Sequence, residues 1–439
     1  MKLKDILTSP CNVRHMVDAL DIQSGVARRM LLEQPMMLTR QEVEDAYQTL
    51  RPYVAAVTDK AQTTAVCTLQ FRLQGLKDLA TTLMNLQAGH TLDDIELFEI
   101  KNLAMLNAEV RKQTALLSLP DTLPDLETVV RILDPEGLRI ATFYVYEAYS
   151  VKLSELKKRL DATPGDAELF TQVQDEEARI RGELSQQLRP HAAQLTAAHK
   201  AIAETDILLA KALQVREMGL CFPTVGEATC LSEMWHPAVK EAVERRGGTY
   251  QTNSIRLQNL PTVLTGSNMG GKTVVLKTVG LCQYLAQFGF GIPAEKAEIA
   301  LKDEIFCCMA DTQSVEAGLS SFAAEMRQID AVIQAARQDR RILALIDEPA
   351  RTTNPVEGTA LVSALLEVLK PTGISLLMVT HYTIGAHACP CLRVRGMEDG
   401  RMNYRLEDAR EGDVPHEALR IAEQLGIDPE WIEKAKQQI

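Results

Sequence analysis

One run constrains this chain more than any other: Gly266-Ser267-Asn268-Met269-Gly270-Gly271-Lys272-Thr273. It follows the short apolar run Thr262-Val263-Leu264 and opens into Val274-Val275-Leu276-Lys277, so it reads as the turn between a buried strand and a helix. Glycines let successive backbone N–H groups converge on an anion, and the helix N-terminus adds its positive end. In such a phosphate loop Lys272 can bridge the β and γ phosphates, and the Thr273 hydroxyl can ligate Mg²⁺. The bland alternative, a chance glycine-rich turn, is opposed by the strand before it and the helix after it.

Two further apolar runs, Ile342-Leu343-Ala344-Leu345-Ile346 and Ile374-Ser375-Leu376-Leu377-Met378-Val379, alternate with helical stretches. Runs of this kind indicate a parallel sheet buried on both faces. The first ends in Asp347-Glu348, 74 and 75 residues beyond Thr273. Asp347 is placed to join the Mg²⁺ shell, and Glu348 to polarise an attacking water. The second ends in Val379-Thr380-His381, where His381 either contacts the γ-phosphate or water, or is an ordinary turn histidine. Ala317-Gly318-Leu319-Ser320-Ser321-Phe322 reads locally as a helix N-cap.

The first half, residues 1–233, reads as almost wholly helical. Val26 to Leu32 stops at Pro35, and Thr39-Arg40-Gln41-Glu42 is a capping box. Leu153, Leu156 and Leu160 recur at helical spacing, Asp161 to Asp166 interrupts them around Pro164-Gly165, and Leu169, Val173, Ile180, Leu184 and Leu188 form one stripe beyond. Two helices joined by a Pro-Gly turn make an antiparallel hairpin. Pro190 marks a kink before a helix carrying Leu195, Ile202, Leu208 and Leu209.

Together these motifs resemble the MutS family of ATPases, a branch of the ABC-type ATPases. The resemblance rests on Thr265 to Thr273, the Ser320-Ser321-Phe322 turn with Glu325-Met326, Asp347-Glu348 and Thr380-His381-Tyr382, in the family's order and spacing. His236-Pro237 with Tyr250 to Asn253 resembles the family's lead-in strand, and residues 418–436 resemble its helical dimerisation tail. The fold implied is α plus α/β: a helical core with a lever hairpin over 1–233, tip at about 161–166; an ABC-type ATPase domain with a mostly parallel sheet over 234–415; and a helical tail over 416–439. The implied cofactors are ATP and Mg²⁺, the latter on Thr273 and Asp347. The implied assembly is a homodimer, or a dimer with a close paralogue. Ser320 of one subunit would face the γ-phosphate held by the other, Tyr250 would lie against adenine, and Asn268 and Met269 would line the nucleotide. ATP-driven closure would move the levers.

The chain departs from the mismatch-repair pattern in several places. Pro349-Ala350-Arg351-Thr352-Thr353-Asn354-Pro355 stands where the family has a glycine-rich turn, which predicts a stiffer link. Asn354-Pro355-Val356-Glu357-Gly358 resembles the branch without mismatch recognition. The chain starts at the helical core, and the turn at 161–166 replaces a DNA-clamp domain. The 47 Lys+Arg against 59 Asp+Glu give a net charge of −12, the wrong sign for gripping phosphates with the whole surface. Lys152, Lys157, Lys158, Arg159, Arg179 and Arg181 on the hairpin are interleaved with acids and read as a solvated helix surface.

The client expected is therefore a protein, because short clampless relatives resemble the reactivating factors of cobalamin-dependent aminomutases. The alternative is a DNA-binding protein of mismatch repair or recombination type. No membrane span or signal peptide is expected, and nine irregularly spaced cysteines suit a reducing cytoplasm. Cys389-Pro390-Cys391 with His381 and His387 fits no common zinc spacing, and Cys307-Cys308 reads as part of a buried strand.

Overall fold

The structure, a computed structural model, describes residues 1–140, 142–145, 147–266, 270–309, 321–338, 340–382, 389–398, 401–409 and 428–436. It forms two compact units: Met1–Ala19, Pro35–Gln48 and Glu217–Ile439 in one, Leu20–Gln34 and Thr49–Arg216 in the other.

The second unit is helical. Ser24 caps the helix Gly25–Leu32 by accepting from the Ala27 amide, and its own N–H and O–H donate to the Asp206 carboxylate. Asp93 and Glu96 form a reciprocal capping box on Asp94–Leu116. Inside the unit Lys101 donates to Asp134 Oδ1 at 3.2 Å and to the Thr142 carbonyl at 3.1 Å, with both charged side chains buried. The hairpin is Val151–Ala162 and Ala167–Leu188, the latter capped by Asp166. Leu169, Val173, Ile180, Leu184 and Leu188 are buried as one stripe. The gap in that stripe is filled by buried Glu176, which accepts from Ser150 Oγ at 2.7 Å, Lys152 at 3.0 Å and Arg179 at 2.6 Å. Among the described residues no helix is long and apolar enough to cross a membrane.

The first unit carries the strands β1 Thr224–Gly226, β2 Thr229–Met234, β3 Asn253–Leu257, β4 Pro261–Thr265, β5 Lys296–Ala300, β6 Glu304–Cys308, β7 Ile342–Asp347, β8 Ser375–Val379, β9 Cys391–Glu398 and β10 Arg401–Asp408. They make a four-stranded sheet in the order β1-β5-β2-β3 and a six-stranded sheet in the order β10-β9-β4-β8-β7-β6. In the larger sheet every pairing is parallel except β9 with β10. Its inner strands β7 and β8 are buried nearly throughout, as helices on both faces require.

Two expectations shift. The strand expected from Tyr250 begins at Asn253, and His236 is the N-cap of a separate helix, Pro237–Arg245. The helical core expected over 1–233 is not a single unit: Met1–Ala19, Pro35–Gln48 and the residues from Glu217 on, with β1 and β2, belong to the unit that carries the sheets. Tyr47 donates to the Phe290 carbonyl at 2.7 Å, and Val43, Tyr47 and Leu301 form one apolar cluster, which binds Pro35–Gln48 to this unit. Of the expected tail, only Pro429–Lys436 is a described helix.

Candidate nucleotide site

Strand register assembles the site. Leu264 of β4 lies opposite Val379 of β8, and Val379 lies opposite Asp347 of β7. The phosphate loop, the Asp347-Glu348 pair and Thr380-His381 therefore leave three neighbouring parallel strands at the same carboxyl edge, where α/β sheets bind ligands.

Gly266 has φ +128° and Gly271 φ +71°, left-handed conformations open to glycine. A side chain on Gly266 would crowd Val394, and one on Gly271 would press on the Tyr404 ring. Gly271 is also the N-cap of the helix Lys272–Gln287. Lys272 is buried and donates to the Gly266 carbonyl at 2.7 Å. Ser267, Asn268, Met269 and Ser320 lie outside the described residues.

Thr273 Oγ1 donates to Asp347 Oδ2 at 2.8 Å, while Asp347 Oδ1 is buried with no hydrogen-bond partner. Burial pushes the Asp347 carboxyl above its ordinary range, and the neighbouring Glu348 charge adds to this. An orphaned carboxylate oxygen beside a threonine hydroxyl fits a hard divalent cation, and Thr273 and Asp347 would hold Mg²⁺.

Glu348 sits at φ +49° and its amide donates to the Val379 carbonyl at 2.9 Å, which ties the end of β7 to β8. Its carboxylate is 3.6 Å from Arg351. Ala350 follows at φ +60°, fully buried. Its amide donates to Glu325 Oε1 at 3.0 Å, and its carbonyl accepts from Tyr382 Oη at 2.8 Å. Burial raises the Glu325 carboxyl. Left-handed backbone at a residue with a side chain is strained, and it persists where the surroundings over-determine it. Glu325 and Tyr382 are those surroundings, and Tyr382 has room because a side chain on Gly358 would collide with its hydroxyl.

His381 is exposed directly after β8, its ring tilted against Tyr382 with centroids 4.3 Å apart. Tyr250 accepts from the His236 amide at 3.0 Å and lines a cavity of about 790 Å³ with Gln251, Thr252, Glu398, Met402, Asn403 and Arg405. Gln251 bonds the Met402 carbonyl and the Tyr404 amide, so β10 brings Tyr404 against the phosphate loop. Sequence reasoning missed Tyr404, since nothing in the short run around it signals a loop contact 133 residues upstream.

Residues 262–391 match the family model of MutS domain V. The chain is similar to Endonuclease MutS2 of Thermus thermophilus, 32% identical over 318 residues, which cover 71% of this chain and 40% of the relative. It is also similar to Endonuclease MutS2 of Streptococcus pneumoniae, 28% identical over 448 residues, covering 93% and 54%, and to that of Streptococcus gordonii, 33% identical over 277 residues, covering 59% and 34%. The chain spans about a third to a half of the length of these relatives. The similarities support a MutS-family ATPase.

Proposed function

We propose that this chain is a MutS-type ATP-hydrolysing switch that works as a dimer, with its helical hairpin acting on a protein client. The observation that carries the ATPase reading is the contact of Thr273 with Asp347, whose second oxygen is buried and unpartnered at the sheet's carboxyl edge. Bound there, Mg²⁺ would offset phosphate charge. Lys272 binds and orients the outer phosphates, its buried ammonium exchanging the Gly266 carbonyl for a phosphate oxygen. Glu348 accepts a proton from the attacking water, and His381 hydrogen-bonds the γ-phosphate or that water. Tyr250 lies on the adenine side, and Ser320 completes the site across the dimer.

The protein client is supported by the hairpin's charges. Lys152 and Arg179 pair with Glu176, Lys157 with Glu177, and Arg181 with Asp94. The particular client proposed is a cobalamin-dependent aminomutase, reactivated by ATP-driven opening. The second reading, action on DNA, is favoured by one observation, the endonuclease name of the relatives.

The test is Glu348→Gln, expected to retain ATP while hydrolysis falls at least about 100-fold. Wild-type turnover by this variant removes Glu348 from the mechanism. The ATP-loaded variant, used as bait with duplex DNA and with cell extract, then separates the clients.

A further inference from the structure

Cys11 lies in the turn before the helix Val13–Asp18 and is fully buried, whereas Cys307 on β6 is half-buried. Although 296 residues separate them, their sulfur atoms are 3.6 Å apart. Neither position is accidental. Cys307 is fixed by pairing opposite Leu345 of β7. The Cys11 amide donates to Ser9 Oγ at 3.4 Å. Gly280, inside the helix that follows the phosphate loop, leaves the space the Cys11 thiol occupies, since a Cβ there would collide with Cys11 Sγ and come within 2.7 Å of Leu345 Cδ1. A disulfide needs its sulfurs about 2.04 Å apart, so closure asks for roughly 1.6 Å of movement, within reach of small side-chain rotations.

We propose that Cys11 and Cys307 form a redox latch, a dithiol that a hydroperoxide converts to a disulfide tying the N-terminal segment to the edge strand of the larger sheet. Cys307 is the attacking sulfur. It is the more accessible of the two, and its hydrogen bond with Cys11 holds its thiol below the ordinary range against the opposing effect of burial. Its thiolate attacks one peroxide oxygen, so an S–O bond forms, the O–O bond breaks, and the departing alkoxide or hydroxide takes a proton. Cys307 is then a sulfenic acid, oxidised by two electrons. Cys11 sulfur attacks it, the S–S bond forms, the S–O bond breaks, and hydroxide leaves with the Cys11 proton as water. Two thiols and one hydroperoxide thus give one disulfide, one alcohol or water, and one water. An external dithiol reverses the step by exchange.

The competing pair is Cys389 and Cys391, both half-buried, where hydrogen bonding from Cys389 lowers the Cys391 thiol to about 7. Peptide mapping decides between them. The full chain is treated with stoichiometric hydrogen peroxide, its remaining thiols are blocked, and the non-reduced digest is analysed by mass spectrometry. The expected product is a Cys11–Cys307 linked peptide two hydrogens lighter than the separate thiols and cleaved by dithiothreitol. It is accompanied by a thermal midpoint higher by a few degrees. Cys11→Ser and Cys307→Ser should each remove both signals, and Cys389→Ser neither. Free thiols at both positions after treatment, irreversible sulfinic acid at Cys307 without a link, or a link confined to Cys389 and Cys391 would each overturn the latch. Mapping of the unmodified sequence decides the matter even where a variant fails to fold.

Discussion

Positive φ at Glu348 and Ala350, the first and third residues after Asp347, concentrates strain there, and the clamp on Ala350 shows what holds it. Glu325 accepts from the Ala350 amide and Tyr382 donates to its carbonyl, so two residues of the sequence motifs act by shaping the turn that aims Glu348. Tyr382→Phe removes one hydrogen bond and nothing else. Stability should fall by about 1 kcal/mol, and kcat for ATP should fall by roughly tenfold through misplacement of Glu348, with KM unchanged because the phosphate loop is untouched. Steady-state kinetics check this, and a loss confined to KM would show that Tyr382 serves nucleotide binding instead. Lys272, Thr273 and Asp347 were legible in the sequence because each carries its own chemistry in a fixed spacing. Glu325 and Tyr382 stood in the motifs as residues, but their clamp on Ala350 was not legible, because a side chain's bond to a distant backbone group leaves no mark in sequence spacing.

Among the elements, legibility follows burial. β4, β7 and β8 are covered on both faces and so appear as unbroken apolar runs. β3 alternates buried and exposed over Asn253-Ser254-Ile255-Arg256-Leu257, β1 has only three residues, and β9 and β10 carry arginines. None of these rises above a polar loop in pattern. The hairpin was legible as a stripe with one gap, and the gap holds Glu176. The Arg179 guanidinium, with Ser150 and Lys152, holds the Glu176 carboxyl down at about 2 from 4.5. A folded-state value below the unfolded one means that the unfolded chain binds the proton more readily, so the contribution is whole above pH 4.5 and is lost as pH falls from there to about 2. Glu176→Gln should speed amide exchange in the helix Ala167–Leu188 about tenfold at neutral pH, equivalent to about 1.4 kcal/mol. The ratio of variant to wild-type rates should shrink towards one at about pH 3. A ratio independent of pH would mean that packing, and not the charge, supplies the effect.

At the scale of the whole molecule the proposed action of the hairpin on a client can be tested through charge. A protein that neutralises Z phosphates of duplex DNA loses affinity along a line of slope about −0.9Z in log salt. Such binding needs cations free to meet phosphates, and the net charge here is −12. The best-placed cations are already committed: on the hairpin to Glu176, Glu177, Glu183 and Asp94, and on β9 to Glu407. Engaging DNA through them would first break those pairs, setting the cost of freeing each cation against the gain from counterion release. The ATP-loaded Glu348→Gln protein is therefore expected to show no salt-dependent retention of fluorescent duplex DNA by anisotropy, even at low ionic strength. A steep loss of binding between about 50 and 200 mM salt would install the DNA reading in place of the protein client. It would also require exposed cations such as Lys158 and Arg159 at the hairpin tip to carry the contact, which Lys158→Glu and Arg159→Glu would then abolish.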